Sequence, residues 1–219
     1  MGDEAATKMC TYIYSVSCSI IAEIFMIFGY TNNAWIVLYN DDKQFQRGLN
    51  DDCFKSDGIR CQAWHTYSNS NSSSFPEPFN VITPPNAAML IALNLARGAL
   101  FIQFTWFMAC VICCCNANAE RFAKKHQRSL LQYCALAAFC FALLFFIIVV
   151  AYFTDDIMET VPKDYHRTLG SGFWLFIAGG APLYLLSVFL VYREDLSLYI
   201  QKRQSHEPLP RHELTNLPS

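Results

Sequence analysis

The chain has 219 residues, 16 Lys and Arg against 18 Asp and Glu for a formal net charge of −2, and 53% hydrophobic against 16% charged residues. That balance is too apolar and too poor in charge for an average soluble domain, and it offers no basic excess for a nucleic acid. Four stretches reach the roughly 17 to 25 residues that cross about 30 Å of hydrocarbon as a helix. They run from Tyr12 to about Tyr30, Ala87 to about Cys115, Leu130 to Phe153 and Ser171 to Tyr192. The predicted fold is therefore integral to a membrane and mainly α, a bundle of four transmembrane helices.

The leader "MGDEAATK" carries more acid than base, and the apolar run after it is longer than the roughly 7 to 15 residues of a signal-peptide core, so the first run is read as a span. Ala6 stands where an N-myristoylation signal needs Ser or Thr. Along the first span Thr11, Ser15, Ser19 and Glu23 recur every four residues, a polar stripe suited to contact with another helix.

The connection after it, about 31–86, is far longer than a simple loop and calls for structure of its own. "AWIVLY" (Ala34 to Tyr39) and "IRCQAWHTY" (Ile59 to Tyr67) read as strands of a small antiparallel sheet. "SNSNSSSFPEPF", Ser68 to Phe79, reads as a mobile loop. Three signals put this connection outside the cell. The bases Arg121, Lys124, Lys125 and Arg128 of the next connection, and Arg193, Lys202, Arg203 and Arg211 of the tail, mark those segments as cytoplasmic. Asn71 opens the chain's N-x-[ST] glycosylation acceptor. Cys53 and Cys61 would face an oxidising compartment, where a disulfide between them persists. For so short a loop the bridge stabilises by about 2 to 3 kcal/mol in the chain-entropy picture. A sheet this small needs that tie, together with a platform of helix ends.

In the second span Asn94 and Arg97 share a face, and Arg97 lies at a depth similar to Glu23 if the helices run antiparallel. Intramembrane charges are expensive unless paired, so an ion pair between Glu23 and Arg97 is expected, ahead of a proton or ion relay, which needs more polar residues than these spans contain. The span ends in Cys113, Cys114 and Cys115, candidates for palmitoylation or simply reduced, semi-buried thiols; Cys10 before the first span is a similar case. Their crowding lacks zinc-ligand spacing, and a cluster of Cys53, Cys61 and His65 is a weak metal site, so no metal or other cofactor is expected. A second outer connection spans about 154–170. "AGGAP", Ala178 to Pro182, lets the fourth span approach a neighbour closely and kink. Residues 1–192 form the membrane domain, and 193–219 a cytoplasmic, disordered tail without an apolar C-terminal residue for a PDZ domain. No nucleophile–base pair, phosphate loop or paired-carboxylate constellation appears, so an enzyme is not expected.

The arrangement resembles the claudin superfamily, which takes in claudins, epithelial-membrane proteins, peripheral-myelin proteins and channel γ subunits. The resemblance rests on four spans with both ends inside, a long first outer connection with two cysteines, and the ordered residues Trp35, Gly48-Leu49, Cys53 and Cys61. Arg97 in "LARGAL" and the segment "LGSGFWL" extend it. Asn50 stands where the family signature has a second Trp that seats the sheet on the helix ends, the cysteine spacing is short, and the stretch from Cys61 to the second span is long. These departures describe a divergent claudin-like member, an invertebrate one being one reading. The resemblance implies a plasma-membrane protein of cell–cell contact or junction organisation, with an effect on paracellular permeability. Its partners would be the bilayer and other membrane proteins, either same-family copies in cis or trans, or a channel or receptor that it serves as an auxiliary subunit. Asp41, Asp42, Asp51 and Asp52 would make the outer face anionic.

Overall fold

The computed structural model describes residues 2–64, 75–77, 79, 85–116, 127–154 and 164–205. Helix α1 (Gly2–Thr31) leads into four strands, β1 (Ile36–Asn40), β2 (Lys43–Arg47), β3 (Asp51–Lys55) and β4 (Ile59–Ala63). Helices α2 (Ala87–Cys115) and α3 (Gln127–Thr154) follow, then β5 (His166–Leu169) and the last helix, α4. Helix α4 begins as Ser171–Trp174, passes through a π-helical stretch at Leu175–Gly180 and continues as Ala181–Ser205.

All four helices contain a segment long and apolar enough to cross a membrane. Their apolar residues go all round, as helices solvated by lipid require. Phe101, Phe146 and Phe153 stand 69%, 63% and 71% exposed, a surface that water would not tolerate on four neighbouring helices and hydrocarbon does. Inside the bundle the contacts run α1 to α2, α2 to α3, α3 to α4 and α4 back to α1. Small residues set the spacing: Ala92, Ala96 and Ala99 of α2 and Ala137 and Ala151 of α3 are fully buried. The side chain of Asn86 caps α2 by accepting from the Met89 N–H.

The "AGGAP" segment does what its composition predicts, by a specific route. Pro182 has no N–H to give to the carbonyl one turn back and its ring crowds that carbonyl, and the wider π-helical turn just before it relieves both. Close approach to α1 follows: a Cβ on Gly179 would lie 3.0 Å from the Phe25 ring, and one on Gly180 would lie 2.2 Å from the Met26 side chain.

At one end of the bundle sits a five-stranded antiparallel sheet, ordered β4-β3-β2-β1-β5. We call it the cap. Strand β4 falls within its predicted stretch and β1 overlaps the other, ending one residue beyond it at Asn40, whereas β2, β3 and β5 are too polar to have been read as strands. Two further expectations are corrected. Helix α4 continues to Ser205 instead of giving way to a disordered tail after residue 192, because "REDLSLYIQKRQ" contains no Gly or Pro to stop it. Phe75 and Phe79, at the end of the segment expected to be mobile, are 4% and 3% exposed and packed.

The tightest helix contact gives a paired test. A Cβ on Gly29 would lie 2.6 Å from the Phe176 backbone nitrogen and 2.8 Å from the Gly172 carbonyl oxygen, neither of which can move without shifting α4. A Cβ on Gly98 meets nothing within 4 Å. Gly29→Ala should destabilise by about 1–3 kcal/mol through overpacking, while Gly98→Ala should be neutral or stabilising by up to about 1 kcal/mol, both read from thermal unfolding in mild detergent.

Candidate functional site

The cap is held to the bundle by Trp35. Its backbone is spoken for on both sides: the Trp35 N–H donates to Arg47 O at 3.1 Å, and Trp35 O accepts from the Gly170 N–H at 2.9 Å. The fully buried indole points down and donates through Nε1 to the Gly29 carbonyl at the top of α1, at 2.8 Å. Its rings lie against Phe173 and Phe176 of α4 with centroids 6.2 and 5.6 Å away. Glycine is required beside it, since a Cβ on Gly172 would come within 2.8 Å of the indole. One side chain thus joins sheet, α1 and α4.

The Gly48–Leu49–Asn50 turn between β2 and β3 docks next to it. Gly48 donates to Asp51 O at 2.9 Å, and a Cβ there would lie 2.9 Å from the Asn33 Cα, so the turn can settle onto the chain leaving α1 only because it has no side chain. Leu49 is 1% exposed in the bundle core. Asn50 fastens the turn with hydrogen bonds: its carbonyl accepts from the Trp64 N–H at 2.9 Å and its Oδ1 accepts from Arg97 Nη2 at 3.2 Å. Trp64 packs against the same core and supplies aromatic bulk at this junction.

Arg97 therefore does not pair with Glu23. Its Nε donates to the Tyr30 hydroxyl at 2.9 Å and its Nη2 to Asn50, both at the cap base. Tyr30 lies two helical turns beyond Glu23, roughly 10 Å along α1. The long guanidinium side chain reaches up to the polar cap instead of down into hydrocarbon. Glu23 Oε2 is left buried without a hydrogen-bond partner.

Among the described residues a charge pair does form between Arg47 and Asp52, directly opposite each other on β2 and β3. Nε donates to Oδ1 at 3.1 Å and Nη2 to Oδ2 at 2.9 Å, and Trp64 Nε1 also donates to Oδ1 at 3.2 Å. Both residues are essentially unexposed. Asp52 is thereby removed from the anionic outer face expected of it, while Asp41 and Asp42 remain exposed at the β1–β2 turn. The sequence did hold a signal for this pair: Arg47 and Asp52 flank a Gly-bearing turn in opposite charge.

Strand alternation divides the sheet into two faces. One carries Leu38, Phe45 and Phe54, and the chain's own Phe75 and Phe79 cover it together with Tyr165. Phe79 stacks on Phe45 with centroids 4.7 Å apart and meets Tyr165 edge-on at 5.5 Å. Burial and then the neighbouring Asp164 push the Tyr165 phenol above its ordinary value. The other face carries the disulfide. Cys53 and Cys61 are register partners and are bridged, and Asn33 Nδ2 donates to Cys53 Sγ at 3.1 Å. Beside the tip, an open groove of about 510 Å³ is lined by Tyr39, Asn40, Asp41, Asp164 and His166, with Asn40 Nδ2 donating to Asp164 Oδ2 at 2.7 Å. Strand β5 is locked to α3 where Arg167 Nη1 donates to the Tyr152 carbonyl, the Tyr152 hydroxyl donates back to Arg167 O at 3.0 Å, and the guanidinium lies 5.1 Å over the tyrosine ring.

Within the bundle the predicted polar stripe meets partners on two helices. Ser15 and Ser19 reach the Ser187 hydroxyl at 2.9 and 2.8 Å, Trp106 Nε1 donates to the same oxygen at 2.8 Å, and Gln103 Nε2 donates to Ser19 O at 3.1 Å. Cys113, Cys114 and Cys115 close α2 at the end away from the cap and are outside any disulfide. Asn71 and His65 lie outside the described residues. Among the described residues no three His, Cys, Asp or Glu side chains converge as a metal site. What the cap offers chemically is a tied, polar surface made from both connections, anionic at its tip. No protein-family model matches the chain, and no curated protein matches it.

The buried charge pair can be tested by a double-mutant cycle. Asp52→Ala strands the Arg47 guanidinium in the cap and should cost about 3–5 kcal/mol, whereas the double substitution Arg47→Met with Asp52→Leu should cost far less or nothing. Thermal unfolding of the four proteins measures the coupling.

Proposed function

We propose that this is a claudin-like protein of the plasma membrane, with both termini cytoplasmic, that acts in cell–cell contact or junction organisation through the cap. The observation that carries the reading is the joining of both connections into one sheet, through the β1–β5 pairing, on a base fixed by Trp35. A surface that must meet another surface binds best when it is already ordered, because less entropy is lost on contact. Exposed Asp41 and Asp42 and the groove beside Asp164 and His166 give that surface an anionic tip, suited to basic partners or to a cation-preferring path between cells. The resemblance to the claudin superfamily at Trp35, Gly48, Leu49, Cys53, Cys61 and Arg97 supports the same reading. Glycosylation at Asn71 and acylation at Cys113, Cys114 and Cys115 belong to it as further proposals.

One observation favours a second reading, an auxiliary subunit of a channel or receptor. The largest apolar side chains left uncovered lie on the helices, Phe101, Phe139, Phe146 and Phe153 among them, where a partner's transmembrane helix could replace lipid.

A tagged copy expressed in adherent epithelial cells separates the two. On the contact reading it concentrates where two expressing cells touch and changes transepithelial conductance, and Asp41→Asn with Asp42→Asn lowers any preference for cations over anions. Even distribution over the surface with co-purification of a larger channel in mild detergent would instead establish the second reading.

A further inference from the structure

Among the described residues three buried side-chain atoms lack a hydrogen-bond partner, the Tyr184 hydroxyl of α4 and two acceptors inside the bundle. Glu23 Oε2 on α1 is one acceptor and Gln103 Oε1 on α2 is the other, and Gln103 as a whole is fully buried. Both acceptors belong to the same contact. Glu23 lies on the stripe of α1 that faces α2, bracketed by two residues that touch it: Tyr30, two turns above, accepts from Arg97, and Ser19, one turn below, accepts at its carbonyl from Gln103 Nε2. Helical side chains lean toward the N-terminus of their own helix, the direction in which the Ser19 turn and the Gln103 amide bonded to its carbonyl lie. Ala96 and Ala99 of α2, both fully buried, leave room there.

Among the described residues the nearby donors are engaged or turned to other helices. Arg97 is engaged by Tyr30 and Asn50, and Arg47 by Asp52 in the cap. From α4, the Ser187 hydroxyl is shared among Ser15, Ser19 and Trp106. Tyr184 of the same helix packs its ring against Phe141 of α3, and its partnerless hydroxyl stands beside Cys134 of that helix. Cys18 is the titratable neighbour on α1 itself. A bare carboxylate facing an amide oxygen in hydrocarbon would be costly twice over, once for its charge and once for the orphaned acceptor.

We propose that Glu23 is a proton-binding site within the bilayer: as the carboxylic acid it donates its hydroxyl to Oε1 of Gln103, so that one bound proton satisfies both oxygens and ties α1 to α2. No bond other than O–H is made or broken. The joint is continuous with the Ser15–Ser19–Ser187–Trp106 cluster, so loss of the proton loosens α1 from α2 beside the contact that holds α4.

The sign of the pH dependence follows from proton counting. Over the range where an unfolded, water-exposed carboxyl is ionised, the folded protein holds one more proton than the unfolded chain, so stability falls as pH rises. For the full chain in nanodiscs or mild detergent, the melting temperature should drop by about 3–5 °C per pH unit across the range in which the proton leaves. Glu23→Gln, the neutral isostere, should hold the low-pH melting temperature of the parent at every pH. At neutral pH the infrared spectrum of the parent should contain a protonated-carboxyl C=O band that is absent from Glu23→Gln and displaced in Gln103→Leu. A parent curve without slope, a slope that persists in Glu23→Gln, absence of the band, or failure of Glu23→Gln to fold would each overturn the proposal. Stability that follows sodium concentration instead of pH would also overturn it, and would assign the two oxygens to a metal cation.

Discussion

The indole of Trp35 is the point on which the rest depends. A five-stranded sheet of four- and five-residue strands buries too little to persist on its own. It becomes part of a larger structure only if something joins its backbone to the helices beneath. Trp35 does this with one hydrogen bond to Gly29, two aromatic contacts on α4 and backbone bonds to β2 and to the chain entering α4. The glycines around it follow from that placement. Gly29 lets α4 approach α1, and Gly172 lets the chain pass the indole. The disulfide fastens the outer strands to each other, and it could not by itself orient the sheet on the bundle.

The ionisable groups follow three separate solutions to one problem, the cost of charge away from water. Arg47 and Asp52 neutralise each other with two hydrogen bonds and borrow a third from Trp64, which is the geometry a buried pair needs to offset desolvation. Arg97 escapes upward to neutral oxygens at the cap base and spends its stem on the helix surface. Glu23 has no counter-charge among the described residues, and on the proposed reading it takes the remaining solution and carries no charge. The difference between Arg97 and Glu23 is reach: the terminal guanidinium nitrogens lie two covalent bonds farther from the backbone than the carboxyl oxygens do.

How much of this was legible in the sequence depends on what each residue type advertises. The four spans were, because an apolar run of that length has few other meanings, and the Cys53–Cys61 bridge was, because its polar surroundings placed it on one side of the bilayer. Strands β2, β3 and β5 were not, since "KQFQR", "DDCFK" and "HRTL" present one or two apolar residues each and owe their conformation to pairing with β1 and β4. The Glu23–Arg97 pairing failed because depth was counted at the Cα atoms, and a side chain as long as arginine is placed by its head group. Phe75 and Phe79 failed for a related reason. Two aromatics in a Ser- and Pro-rich stretch look like loop residues until a sheet exposes Leu38, Phe45 and Phe54 for them to cover.

That cover has a consequence for how the cap can meet anything else. A sheet standing on a membrane has two faces, and here the apolar one is closed by the chain itself, with Phe79 stacked on Phe45 and bridged to Tyr165 of the second connection. Apolar burial is thus already used to hold the two connections together and is not available to a partner. What stays exposed among the described residues of the cap is largely polar, the Asp41–Asp42 turn, Cys61 of the disulfide and the groove beside His166, on a rigid base. A partner recognised there would be selected by charge and hydrogen-bond pattern more than by apolar area, which favours specific, salt-sensitive contact of modest strength. Strength would then have to come from many copies acting at once, since linked weak contacts multiply without any new interaction at each site. On the proposed reading, that is the regime of two membranes held face to face by arrays of small caps, and it explains why each cap needs to be stiff while none needs to bind tightly alone.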